Sequence, residues 1–320
     1  MTLGRLVTVG AAAATMETFY SRRNRTSARL QQGPHIADYS DPEKARRLER
    51  NYQNHEVVAQ RKQMLGMLRL EPGEHVLDVG CGPGFMMQDL LGSVGPCGRV
   101  EGIEPAPIMI DLAKARLANN PPGGLLYDLP AGGFQFPGVG VRSGEAEKLP
   151  YGDESFDAVV LSQVLLYVHD VPRALSEAHR VLRPGGRVLI CDTDWDSLVV
   201  NTSDKARLDR IRQACCTSFV DGHLPPKLPG MLAQAGFELS GVQTCAMAGA
   251  GVADSSGNSF VGNWVFMVAI DKAKACGLPE SDVAGWVAEQ QALSASGAFY
   301  VCVHRFFFLA HKPKGSDNEV

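Results

Sequence analysis

Three carboxylates surround one indole in Asp192-Thr193-Asp194-Trp195-Asp196. Such a group could hold a cationic or hydroxylated ligand through charge pairing and cation–π contact, and Asp192 or Asp194 could take a proton from an acceptor. Asp194 or Asp196 could equally cap a helix, and Trp195 could pack under a lid. His169, in Leu165-Leu166-Tyr167-Val168-His169-Asp170, is a second candidate base. Asp170 reads as the N-cap of a helix with proline near its start, Pro172, which makes His169 a loop residue at the edge of a pocket. Far upstream, Val76-Leu77-Asp78-Val79-Gly80-Cys81-Gly82-Pro83-Gly84 reads as a buried strand, a glycine turn and a helix start. Side chains there would block both the sharp turn and the approach of backbone N–H groups to a nucleotide-like ligand. The spacing Gly-x-Gly-x-Gly lacks the third glycine placement of the dinucleotide fingerprint.

The segments that follow come in a telling order. Arg99 to Glu104 reads as a second strand ending in an acid, about one βα unit on, where a carboxylate can accept both hydroxyls of a ribose. Ser143-Gly144-Glu145-Ala146-Glu147-Lys148-Leu149-Pro150, the run from Ser155-Phe156-Asp157 to Ser162 and the run Val181-Leu182-Arg183-Pro184-Gly185-Gly186 into Val188-Leu189-Ile190 complete the series. With these motifs over residues 76 to 190, the chain resembles the class I S-adenosylmethionine-dependent methyltransferases, particularly the small-molecule group that includes the ubiquinone and menaquinone C-methyltransferases. The resemblance implies S-adenosylmethionine as cofactor, with Asp78, Gly80 and Gly82 at its methionine end and Glu104 on its ribose. Glu145 and Ala146 would flank the adenine, where the family more often carries aspartate than glutamate, and Ser162 and Gln163 would complete the pocket. Methyl transfer from a sulfonium is an in-line displacement, so alignment alone can supply roughly 7–11 kcal/mol.

The elements that must position these residues alternate. Strands are expected near 75–79, 99–103, 139–143, 157–161 and 187–191, and helices near 85–92, 107–118 and 171–182, which demands a parallel sheet with right-handed crossovers. Asp41-Pro42-Glu43 starts a helical cover that reaches residue 70, in which Tyr39 and Tyr52, with Tyr20, could close on cofactor or substrate. The stretch from Asn120-Pro121-Pro122 to Gly132-Gly133-Phe134 is too long for an ordinary connection and reads as a surface excursion. Beyond it, helical patterns near 204–219, 225–235 and 257–294 and strands near 237–244 and 299–310 predict lid insertions over 204–235 and 250–296. The resulting expectation is an α/β, Rossmann-like, seven-stranded, mostly parallel sheet with an antiparallel final strand and a helical lid. Arg305 in that last strand could recognise a substrate carboxylate, or lie on an edge strand with its head in solvent.

Composition narrows the setting. The 320 residues are 45% apolar with 34 glycines, which suits a filled α/β core, and the net charge of −4 gives no electrostatic footprint for nucleic acid. Eight cysteines without a Cys-x-x-Cys pair argue for a reducing compartment and against a metal centre; the neighbours Cys215 and Cys216 could capture a thiophilic species or simply be buried. No apolar run is long enough to span a bilayer. Residues 1–37 carry five arginines against one acid, as a basic tail or an organellar transit peptide would, so the location is cytoplasmic, mitochondrial or plastid. A small-molecule acceptor is expected. The alternatives are a non-catalytic protein that senses the cofactor or scaffolds a partner, and a methyltransferase of RNA or protein that uses the basic N-terminus.

Overall fold

The computed structural model describes residues 48–119, 138–251 and 260–314. They belong to one compact unit, residues 36–320. The basic segment 1–37, Tyr20, Tyr39, the helix start at Asp41 and the stretch 120–134 lie outside the described residues.

A helical turn at 48–52 leads into α1 (His55–Leu68), which stops where Arg69 takes a left-handed conformation and its N–H donates to Leu65 O. Glu71-Pro72-Gly73 then delivers the chain to β1 (His75–Val79). There follow α2 (Phe85–Val94), β2 (Arg99–Glu104), α3 (Pro107–Asn119), β3 (Val139–Ser143), β4 (Phe156–Ser162), α4 (Val171–Val181) and β5 (Leu182–Val200). The remainder is α5 (Lys205–Thr217), α6 (Leu228–Gln234), β6 (Glu238–Gly251), α7 (Phe260–Ala275), α8 (Glu280–Ala295) and β7 (Phe299–His311). The seven strands form one sheet in the order β3-β2-β1-β4-β5-β7-β6. The first five are parallel, and β7 runs antiparallel to both of its neighbours. This is the mixed sheet the sequence predicts.

Strand residues alternate between two apolar cores, which is why these strands read as continuous apolar runs. Leu77, Val79, Val159, Leu161, Val188 and Ile190 pack with α4 and α6 on one face. Val76, Ala158, Val160, Leu189 and Cys191 pack with α1 and α2 on the other, through Met64, Leu68, Met87 and Leu90. The aromatic run of β7 obeys the same alternation, with Phe308 in the first core and Phe307 in the second.

The expected boundaries need correction in the carboxyl half. Strand five, expected at 187–191, extends through Val200, because β7 pairs with it from Arg187↔His311 to Asp194↔His304 and, past a bulge, again at Val199↔Cys302 and Val200↔Val301. The acids around Trp195 therefore lie inside a strand. Strand six likewise runs to Gly251, paired with Phe299. The single helix expected at 257–294 is two, α7 and α8, because Gly277 sits at φ 71° and Pro279 cannot continue the hydrogen-bond ladder. Arg305 is not at an edge: β7 lies between β5 and β6. These extensions carry a third core, in which Trp195, Leu198, Val301 and Val303 meet Ile211 of α5, Phe219 just beyond it, Val265 of α7 and Trp286 of α8. It fixes the helical layer beside the carboxyl ends of the parallel strands. No helix among the described residues is long and apolar enough to cross a membrane.

Candidate active site

The turn after β1 is built from three left-handed glycines, Gly80, Gly82 and Gly84, at φ 68°, 51° and 80°. The N–H groups of Gly80 and Cys81 both donate to Ile103 O, at 2.7 and 3.0 Å, which locks the turn onto β2. A Cβ on Gly80 would stand 2.5 Å from Val164 Cγ2, so the close approach of the β4 exit demands glycine as much as the backbone angle does. Glu104, buried at the end of β2, accepts from Gly82 N–H on Oε2 and from Ala106 N–H on Oε1, both at 3.0 Å. Burial pushes its carboxyl up, opposed by those two donors. Asp78 lies beneath the turn, 1% exposed, and its Oδ2 has no hydrogen-bond partner. Desolvation first, and the charge of Glu104 second, push Asp78 up to about 8.

The cover over this turn is pinned by two arginines. Arg61 of α1 donates to Tyr52 O at 2.7 Å and to Asp89 Oδ2 at 2.6 Å. Arg116 of α3 donates to Pro83 O and Glu49 Oε1, at 2.8 and 2.7 Å, and its guanidinium lies 3.3 Å from the centre of the Phe85 ring. Tyr52 stacks on Phe85 with ring centres 5.4 Å apart, and its hydroxyl lies 3.7 Å from where a Cβ on Gly82 would be. Burial lifts the Tyr52 phenol to about 12, although Arg305 pulls it down. The cover thus carries a phenol directly to the glycine turn.

Across from the turn, β4, β5 and β7 carry a directed polar relay. Arg305 Nε donates to Thr193 Oγ1 at 3.3 Å, Thr193 donates to Gln163 Oε1 at 2.6 Å, and Gln163 Nε2 donates to Cys191 O at 3.2 Å. Gln163 itself sits at φ 59°, a strained angle for a residue with a side chain. Arg305 Nη1 also donates to Gln60 Oε1 of α1. Asp192 is fully buried and aims at the backbone N–H groups of Val164, Leu165 and Leu166, none of which closes to a full hydrogen bond. Its carboxyl is pushed well up by desolvation, and the Arg305 charge opposes this only in part. Tyr167, whose phenol is raised by burial, couples to Tyr52, Asp192 and Arg305. Tyr52 and Gln60 of the cover thus lie close to Tyr167, Asp192 and Arg305 at the carboxyl ends of the strands.

The sequence candidates divide accordingly. Asp78, Gly80, Gly82, Glu104, Tyr52, Gln163, Asp192 and Arg305 come together around the groove. Ser162 lies beside Met64, its Oγ 3.8 Å from the sulfur. Glu145 is exposed and Ala146 buried on the turn after β3. His169 is exposed, in the loop ahead of α4, where Asp170 accepts from Arg173 N–H as the helix cap. Trp195 stacks on Phe219 in the third core. Asp194 turns to His223, Oδ1 to Nδ1 2.8 Å, and also accepts from Asp196 N–H. Sequence reasoning passed over His223, Gln60, Arg61 and Arg116; only Asp221-Gly222-His223, a turn-forming run ending in a titratable ring, offered a signal. Among the described residues no group of three or more His, Cys, Asp or Glu could hold a metal ion.

Residues 77–190 match the family described as a methyltransferase domain. The demethylmenaquinone methyltransferase of Symbiobacterium thermophilum is 32% identical over 128 residues, 40% of this chain and 46% of that protein. The O-methyltransferase cnsE of Penicillium expansum is 31% identical over 207 residues, 64% of this chain and 65% of that protein. The YcgJ protein of Bacillus subtilis shares the fold, with a TM-score of 0.53 at 16% identity over 81% of this chain and all of that one. Over residues 77–190 the chain is thus similar to a methyltransferase domain. Its matches span about half the length of these curated relatives, between 46% and 65%.

Proposed function

We propose that this protein transfers a methyl group from S-adenosylmethionine to a small-molecule acceptor. The observation that carries the reading is Asp78: a buried carboxylate with an unpartnered oxygen beneath a glycine turn needs a cation, and the ammonium of the cofactor's methionine end is one. The rest of the groove fits the same ligand. Gly80 and Gly82 leave room for backbone approach, and Glu104, held open by two N–H donors, keeps lone pairs for ribose hydroxyls. Glu145 and Ala146 stand on the turn after β3, where the adenine would end. When bound, S-adenosylmethionine supplies an electrophilic methyl on a sulfonium sulfur.

This chain's own part is alignment and exclusion of water. Tyr52, held by Arg61 and stacked on Phe85, roofs the groove, while Gln163, Thr193 and Arg305 form its polar wall. A small acceptor accords with the absence of excess positive charge and with relatives named for demethylmenaquinone and oxygen methylation. Calorimetric titration with S-adenosylmethionine, S-adenosylhomocysteine and NAD tests the reading. Micromolar binding of both sulfur ligands is expected, with loss in D78A and E104A. Tight NAD binding with indifference to both sulfur ligands would overturn it.

A further inference from the structure

We infer that the open face of β5, β7 and β6 is a docking surface for a second copy of this chain, and that the protein forms a weak, reversible dimer through it. Among the described residues four large apolar side chains stand between 41% and 52% exposed: Val199, Leu239, Val242 and Tyr300. They come from three strands, yet the registers bring them to one side. Val199 pairs with Cys302, Val242 with Phe308, Leu239 with Ala310, and Ala250 with Tyr300. Paired residues of neighbouring strands point to the same side of a sheet, and even-numbered residues along β7 share one side, so the four emerge together.

The opposite side of these strands carries the third core, through Met247, Val301 and Val303. The open side is covered at one end alone. Phe308 and Ala310 belong to the first core with residues of α4 and α6, whereas Tyr300, at the other end of β7, stands in solvent. Between the two ends run Thr244, Ala246, Ala248 and Ala250 of β6, three of them exposed and Ala248 half-buried. The row is continuous and carries no charge: from Leu239 to Gly251 the strand has no Asp, Glu, Lys, Arg or Pro. A strand at the margin of a sheet is ordinarily guarded by such residues, and β6 is the last strand of this one. Its guards, Glu238 and the bulge between Leu239 and Gly241, stand only at its start.

Whatever covers such a face must be flat and uncharged. Nucleic acid or an anionic membrane finds no positive charge here to meet. A second copy fits, because two-fold packing sets a surface on itself and this surface then meets no like charge. At ~3.4 Å per residue and ~4.8 Å between strands, the patch from Leu239 to Ala250, two to three strands wide, measures roughly 500 Å². Two such faces, packed about 10 Å apart as in a sandwich, bury about 1,000 Å² in all, which is the lower bound of a specific interface. Association should therefore be weak and governed by concentration.

Sedimentation velocity of the full chain, from about 2 to about 200 μM, tests this, with a reversible rise from one chain toward two and a dissociation constant in the micromolar range as the expected result. V242K and A246K each put an ammonium on the face and should weaken association at least about tenfold. Q243K, one residue along on the other side of β6, should leave it within about threefold. Thermal unfolding and S-adenosylhomocysteine affinity of each variant are compared with wild type, and A246K, which replaces an exposed alanine, carries the test where V242K folds poorly. A chain that stays monomeric at the highest concentration overturns the inference, and a monomer whose V242C thiol resists a maleimide would show that the chain's own residues cover the face. A dimer left intact by both face variants overturns it by placing the contact elsewhere. Equal loss in Q243K overturns it in favour of pairing between the margins of two β6 strands.

Discussion

If Asp78 is the partner of the cofactor's ammonium, cofactor binding is a proton-releasing event. In the free protein its carboxyl, pushed up to about 8, is about 99% protonated at pH 6 and about three-quarters protonated at pH 7.5. An ammonium placed on its unpartnered oxygen requires the ionised form, so each ligand bound expels close to one proton at pH 6 and about three-quarters of one at pH 7.5. The ionised fraction rises by roughly an order of magnitude between pH 6 and pH 7.5, which is about 1–2 kcal/mol of affinity. S-adenosylhomocysteine is the probe, titrated calorimetrically at each pH in phosphate and in imidazole buffer; the difference in heat counts protons. Wild-type affinity should climb over this window and level off above pH 8, while D78N binds weakly and with no slope. E104Q separates the neighbouring carboxyl, which burial also lifts but two N–H groups hold, and should keep most of the slope. A flat wild-type profile with no buffer-dependent heat, or a slope that survives in D78N, would refute the assignment of Asp78 as the ammonium's partner.

The same carboxyl sets the pH dependence of folding. Between about pH 4 and 8 the unfolded Asp78 is ionised while the folded one keeps its proton, so stability falls with rising pH at up to about 1.4 kcal/mol per unit and is flat above pH 8. Urea unfolding of cofactor-free protein at pH 5 and pH 8 should show this loss in wild type and a smaller one in D78N, which becomes the more stable of the two at pH 8. G80A meets Val164 at 2.5 Å in a left-handed conformation, and should cost about 1–3 kcal/mol in unfolding and abolish S-adenosylhomocysteine binding. R61A releases Tyr52 O and Asp89 together, and should weaken that ligand about tenfold while cleavage by trypsin near residue 50 speeds up; unchanged affinity would remove the cover from the site.

The cofactor half of the groove was legible because its signals are local. Asp78, the three glycines and Glu104 each sit where a strand ends, and a strand end is written in the few residues around it. The acceptor half was less legible because its partners are remote. Thr193 and Asp194 read as residues beyond a five-residue strand, since nothing near them reveals that β7 will continue the pairing to Val200. Arg305 read as an edge or carboxylate-binding residue, whereas pairing on both sides of β7 buries it against Gln60 and Thr193. His169 drew attention by its position after strand four, yet the histidine that pairs with a buried carboxylate is His223, which follows α5 and meets Asp194 only in three dimensions.

That asymmetry follows from how the fold is assembled. The parallel strands and their turns build the proposed cation and ribose sites from short motifs, and any acceptor chemistry must then be added by elements that reach the carboxyl ends of β4 and β5. In this chain the addition is the antiparallel extension of β5 and β7 with the third core upon it: one register places Arg305 beside Thr193, and one residue further along β5 Asp194 faces the loop that α5 delivers. A change that slips β7 by two residues would carry Arg305 away from Thr193 while leaving Asp78, Gly80 and Glu104 where they are. Cofactor affinity and acceptor turnover should therefore separate cleanly in variants of β7. Substituting Arg305 with methionine, which keeps the bulk and removes the donors to Gln60 and Thr193, should lower turnover at least tenfold with S-adenosylhomocysteine affinity within about threefold of wild type. Equal losses in both would mean that the two halves of the groove are one site, built and broken together.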